Sequence, residues 1–97
     1  SYEANDYLTA KLARPDDIWL HARAVTGAHV VIRTAGLKSV PPATLQQAAA
    51  LARDHSDAKH SSYVAVDWTL RKHVRKPRKS APGFVVYTHE KTIHVTH

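Results

Sequence analysis

The stretch DIWLHARAVTGAHVVIRT (17–34) decides the fold. Two runs of strand composition, DIWLHA and AHVVIR, flank RAVTG, in which Gly27 supplies a turn residue. Setting His21 opposite His29 sorts the resulting hairpin into two faces. Ile18, Leu20, Ala22, Val30 and Ile32 share one face, a core side. Asp17, Trp19, His21, His29, Val31 and Arg33 share the other, with Asp17 opposite Arg33; a slip of one residue would scramble both sets. The second face reads in two ways. Trp19, His21, His29 and Arg33 form a patch that stacks on bases and holds phosphates, or Trp19 is core and the histidines cap the sheet.

Working outward, ANDYLTAKLAR (4–14) sets Tyr7, Leu8, Lys11 and Leu12 at helical spacing, with Asn5 or Asp6 as N-cap and Pro15 as the stop. SVPPATLQQAAALARDHS (39–56) is the clearest helix, over about 44–55. Thr44 and Gln47 make a capping box, and Leu45, Ala48, Ala49 and Ala52 form a stripe of mostly small residues that lies close against a sheet. SYVAVDWTL (62–70) alternates as a half-buried strand, with Val64, Val66, Trp68 and Leu70 on one side and Tyr63, Ala65, Asp67 and Thr69 on the other. RKHVRKPRKSAPG (71–83) reads as a basic loop, and FVVYT and TIHVT as two strands around the turn HEK. This order predicts a single α+β domain: a mostly antiparallel or mixed sheet of about five strands on one main helix, plus a short N-terminal helix.

The 97 residues contain no cysteine, which excludes disulfides, thiolate zinc sites and cysteine nucleophiles and fits a reducing, cytoplasmic setting. No apolar run approaches membrane-helix length, so no membrane partner is expected. Eight histidines, among them His21, His29, His89, His94 and the terminal His97, raise the question of metal, but no HExxH or comparable spacing occurs. Asp17, Asp67 and Glu90 are scattered, and there is no G-x-S-x-G elbow or glycine-rich phosphate loop. No catalytic residue, metal or cofactor is therefore expected. A divalent-metal hydrolase built on His21, His29 and a carboxylate is the enzymatic alternative.

Charge is the stronger signal. The chain carries +6 with its histidines neutral, and RKHVRKPRK (71–79) alone holds six Lys and Arg, a cluster equal to the entire surplus. Such a concentrated field attracts phosphates through charge and counterion release. Arg71 and Arg75 suit forked phosphate contacts and Lys72, Lys76 and Lys79 point contacts, with Arg78 a further candidate for RNA. Lys59 and His60, in the polar loop 56–62, could add backbone contacts, though that loop serves equally well as an ordinary connection.

NDYLT, DIWLHARAVTGAHVVIR, TLQQAAALARDHS, YVAVDWTLRKHVRKP and PGFVVYTHEKTIHVT occur in the order seen in the NFACT-R domain, which the chain resembles over nearly its whole length. That family includes the C-terminal part of bacterial proteins once labelled fibronectin-binding and of ribosome quality control factors. The matching positions are Trp19, His21, Gly27, His29 and Arg33, then Asp67, Trp68, Lys76, Pro77 and Gly83; the three last of the glycine and proline type, Gly27, Pro77 and Gly83, serve the backbone. The resemblance implies a non-catalytic module that contacts tRNA or large-subunit rRNA, within a factor that acts on obstructed large ribosomal subunits. It also implies that the family's first strand and its other domains are missing here, as in a fragment of a larger protein or in a reduced, stand-alone member. The old family label supplies a rival, an extracellular fibronectin- or fibrinogen-binding adhesin domain.

Overall fold

The computed structural model describes residues 2–23, 29–37, 39–57 and 59–96. Helix α1 (Tyr2–Tyr7) runs into a π-helical turn, Leu8–Leu12. Then follow strands β1 (Ile18–Ala22) and β2 (His29–Ile32), helix α2 (Pro42–Asp54) and strand β3 (Tyr63–Leu70). A 3-10 turn, Arg71–His73, leads into β4 (Val74–Arg75), and β5 (Val86–Tyr87) and β6 (Lys91–Thr96) complete the chain. Four strands form one antiparallel sheet in the order β2-β1-β3-β6, and β4 and β5 form a separate two-stranded ladder. The domain is α+β.

The opening hairpin has the register that its hydrophobic pattern dictates, with Ile18 opposite Ile32 and His21 opposite His29. The turn that Gly27 was expected to supply lies outside the described residues, as does His97. β3 pairs with the other edge of β1, Leu20 facing Trp68, and β6 pairs with β3, Val66 facing Ile93. Alternation then puts Ile18, Leu20, Ala22, Val64, Val66 and Val95 on one face, where they are buried under α2. α2 meets them with Ala48, Ala49 and Ala52, all buried, so the helix can lie close to the sheet without interlocking large side chains. At the rim, the Lys91 ammonium covers the Trp68 ring, 5.4 Å from its centre.

The helix starts differ from the expected ones. α2 begins at Pro42, with Pro41 as N-cap at φ −56° and no side-chain cap. Prolines arrive with helical φ already set, so they take over the role assigned to Thr44 and Gln47. α1 begins upstream of Asn5 and Asp6, which therefore lie inside it. Asp6 is spent elsewhere: its Oδ2 accepts the Gly83 N–H at 3.0 Å and pairs with the Lys76 ammonium at 3.3 Å.

The second face of the sheet is also covered over part of its length. The π-helical turn places buried Thr9 there, and the β4–β5 ladder folds back over it with Val74 buried and Tyr87 pointing inward. The basic run is thus not simply a loop, since it supplies the 3-10 turn and one strand of this ladder. FVVYT and TIHVT do not pair with each other either. β5 bonds to β4 and β6 to β3, because His89, at φ 63°, turns the chain from one layer into the next.

Tight packing under α2 carries a test. Ala49 is 0% exposed, so Ala49→Leu should overpack the helix–sheet seam and cost about 1–3 kcal/mol in chemical denaturation. Leu51→Ala, at a side chain 50% exposed on the opposite side of α2, should shift stability by about 0.5 kcal/mol or less.

Candidate nucleic-acid interface

Two buried polar centres fix what the second face can present. The first surrounds Trp19, which is fully buried, so the choice left open by the sequence resolves to core: this ring cannot stack on an external base. Its indole N–H donates to Thr9 Oγ1 at 3.2 Å, and Thr9 lies 3.0 Å from His29 Nδ1. The Thr9 hydroxyl thus bridges the indole and the imidazole, and which of Thr9 Oγ1 and His29 Nδ1 donates follows from the imidazole tautomer. Burial, seconded by the nearby His21, pushes the His29 imidazole down to about 4, against a partial offset from hydrogen bonds with the Asn5 and Gly83 backbone. His21 is half-buried, nearly parallel to the Trp19 ring at 14° and 5.8 Å, and burial lowers its pKa while Asp67 partly restores it. Tyr87 closes the cluster from the ladder, 4.8 Å from Trp19.

The second centre is Asp67, 4% exposed in the middle of β3. Its carboxylate accepts the Tyr87 hydroxyl at 2.6 Å, the Thr92 hydroxyl at 2.9 Å and the Arg23 guanidinium at 2.7 Å. Burial alone would raise its pKa, but these hydrogen bonds and the Arg23 charge outweigh burial and hold it below the usual carboxylate range. Beside it, Thr69 Oγ1 donates to the Thr88 carbonyl at 2.8 Å, a second tie between sheet and ladder.

The cations of the basic run divide into two groups. Arg71 Nε donates to the Thr9 carbonyl and Nη1 to the Val74 carbonyl at 2.8 Å, which stitches the 3-10 turn to the N-terminal segment. Lys76 donates to the Ala81 and Phe84 carbonyls and pairs with Asp6, closing the ladder's connection. Both were expected on the phosphate-binding surface; both are engaged in holding the chain together. Arg75, Arg78 and Lys79 are exposed and have no side-chain partner among the described residues, while Lys72 keeps a loose 3.6 Å contact with exposed Asp16. Arg33 is exposed just beyond edge strand β2, and Lys59 is exposed between α2 and β3, so neither belongs to the ladder.

Residues that the sequence reading passed over complete the surface. With Val74 and Tyr87 inward, Arg75 and its partner Val86 point outward, and Phe84 is 53% exposed alongside. His73 and His89 stack at 4.0 Å and 22° at the ladder's base. Phe84 sits two residues before Val86, a spacing of 2 that would have marked a shared face had β5 been read as an edge strand. The ladder and its connecting turn thus expose cations and an aromatic ring, groups that can bind phosphates and stack on bases. Among the described residues no group of three or more His, Asp or Glu side chains is placed to hold a metal ion, and Asp67, the carboxylate facing His21, is already saturated.

His29 sets a pH dependence. Its folded pKa lies below the unfolded value of 6.5, so the unfolded chain binds the extra proton between about 4 and 6.5, and stability should fall as pH drops through that window. The melting temperature should decline across it, by a loss of up to ~3 kcal/mol, and His29→Gln should flatten the decline.

Several known proteins are similar to this chain in sequence or in fold. The sequence profile described as the NFACT protein RNA binding domain matches residues 1–88. The protein named Rqc2 homolog RqcH of Bacillus subtilis is 46% identical over 92 residues, and that of Streptococcus suis 42% over 94 residues, each match covering 95% of this chain and 16% of the relative. The C-terminal structure of the fibronectin/fibrinogen-binding protein from Streptococcus suis superposes with a TM-score of 0.91 at 38% identity, over 99% of this chain and 38% of that one. No helix among the described residues is long and apolar enough to cross a membrane. The chain spans about one sixth of the curated relatives and, by its sequence and its fold, belongs to the NFACT RNA-binding domain family.

Proposed function

We propose that this domain is a non-catalytic RNA-binding module that contacts tRNA or large-subunit rRNA, as one part of a ribosome quality control factor acting on stalled large subunits. The observation that carries the reading is the outward face of the β4–β5 ladder. Arg75 stands on it opposite Val86, and Arg78 and Lys79 lie exposed in the turn that follows β4, all three without carboxylate partners among the described residues, while Phe84 is exposed ahead of β5. Cations already paired to a carboxylate release few counterions when a phosphate arrives, whereas these release theirs. Membership of an RNA-binding family and the names of the relatives support the same partner class. The adhesin reading is favoured only by the name of one structural relative, and fibronectin binding that survives nuclease treatment would restore it.

The test is a titration with labelled tRNA over a salt series. Changing Arg75, Arg78 and Lys79 to Ala should weaken binding and flatten the log–log salt slope by about two to three units, with the melting temperature unchanged. Arg71→Ala should behave oppositely, lowering the melting temperature because two backbone carbonyls lose their donor. Wild-type domain that fails to bind tRNA or rRNA at low salt would overturn the reading.

A further inference from the structure

Among the described residues, nothing covers the second sheet face toward the start of β3 and the end of β6, where Tyr63 and His94 are exposed. Three adjacent strands contribute a row across it. The Arg23 N–H donates to the Ala65 carbonyl at 2.8 Å, and Ala65 pairs with His94. Ala65 has only a methyl group, so the floor of the row is flat. On one side stand Tyr63, 59% exposed, and His94, also exposed, with rings inclined by only 17° and centres 5.0 Å apart. The Tyr63 hydroxyl lies 2.6 Å from His94 Nδ1, which fixes both rings in one attitude and lowers the entropy lost when something stacks on them. On the other side stands Arg23. Asp67 and Thr92 aim its guanidinium, yet 51% of its side chain remains exposed. The guanidinium reaches across β3 to Thr92 on β6, two residues along that strand from His94, roughly 7 Å and within the span from base to phosphate of one nucleotide.

The chemistry of this row selects its occupant. Exposed rings without an aliphatic surround offer little to an apolar protein helix, whereas they match the faces of a base. Among the described residues the carboxylates in reach are Asp67, ion-paired with Arg23, and Glu90 in the turn before β6. Arg23 therefore offers hydrogen-bond donors to a phosphate on its exposed side rather than an unpaired charge, and the rings supply most of the binding surface. We infer that this open half of the sheet holds an unpaired nucleobase stacked on Tyr63 and His94, with its phosphate on Arg23. The domain then takes single-stranded RNA, a loop or an end, in addition to backbone contacts on the ladder. The inference rests on the RNA-binding reading but uses a different surface.

The experiment compares a labelled unpaired RNA decamer with a ten-base-pair RNA duplex by fluorescence anisotropy. Three chains are titrated: wild type, Tyr63→Ala with His94→Ala, and the triple variant at Arg75, Arg78 and Lys79. Removing the exposed rings should weaken decamer binding about 10-fold or more and leave duplex binding within about twofold. A 2-aminopurine in the decamer should be quenched on binding wild type and not the ring variant, and Tyr63→Phe, which keeps the ring, should retain the quenching. Equal weakening of decamer and duplex, or none, would overturn the inference. Wild type that binds neither RNA overturns both readings. A triple variant that binds like wild type while the ring variant loses the decamer removes the ladder surface and keeps the sheet site.

Discussion

One buried carboxylate organises the functional half of this molecule. Asp67 sits in the central strand with almost no solvent contact, where an unpaired charge would cost several kcal/mol. Its lone pairs are answered from three directions, by Arg23 after β1, Tyr87 on β5 and Thr92 on β6. The β4–β5 ladder has two residues per strand and no stability of its own in water, so it persists only by docking. Tyr87 on Asp67, Thr88 on Thr69 and Lys76 on Asp6 are the bonds that dock it. The same carboxylate aims Arg23 into the open half of the sheet. Both proposed RNA surfaces are thus oriented from a single point.

The α2 side of the fold was legible in the sequence. Strict alternation through Ile18, Leu20 and Ala22 and through Val64 and Val66 leaves one way to bury the apolar set, and that set fixes the hairpin register. The other face was not legible for a physical reason. Trp19, Thr69 and Asp67 look like a solvated or binding face until something covers them, and what covers them comes from residues ten or more positions away in both directions. Alternation tells which side a residue is on, not whether that side meets water.

The candidate interface shows the same division. A run of six cations in nine residues is visible at once, but which of them reach solvent depends on backbone carbonyls that only the fold brings near. Arg71 and Lys76 sit beside Thr9, Val74, Ala81 and Phe84 carbonyls, so their donors are used within the chain. The His73–His89 stack, by contrast, was hidden in what read as loop and turn, and the exposure of Phe84 in what read as a strand paired with TIHVT. Tyr63 and His94 are 31 positions apart and carry no motif; only the β3–β6 register makes them neighbours.

The most direct measurement is an NMR titration of uniformly 15N-labelled domain with a tRNA fragment, following backbone and guanidinium resonances. The expected result is a set of shifts confined to residues 73–79 and 84–89 and to the Arg23, Tyr63 and His94 row, with the outer side of α2 around Gln46, Gln47 and Leu51 unmoved. Shifts concentrated on α2 while the ladder stays silent would contradict the account.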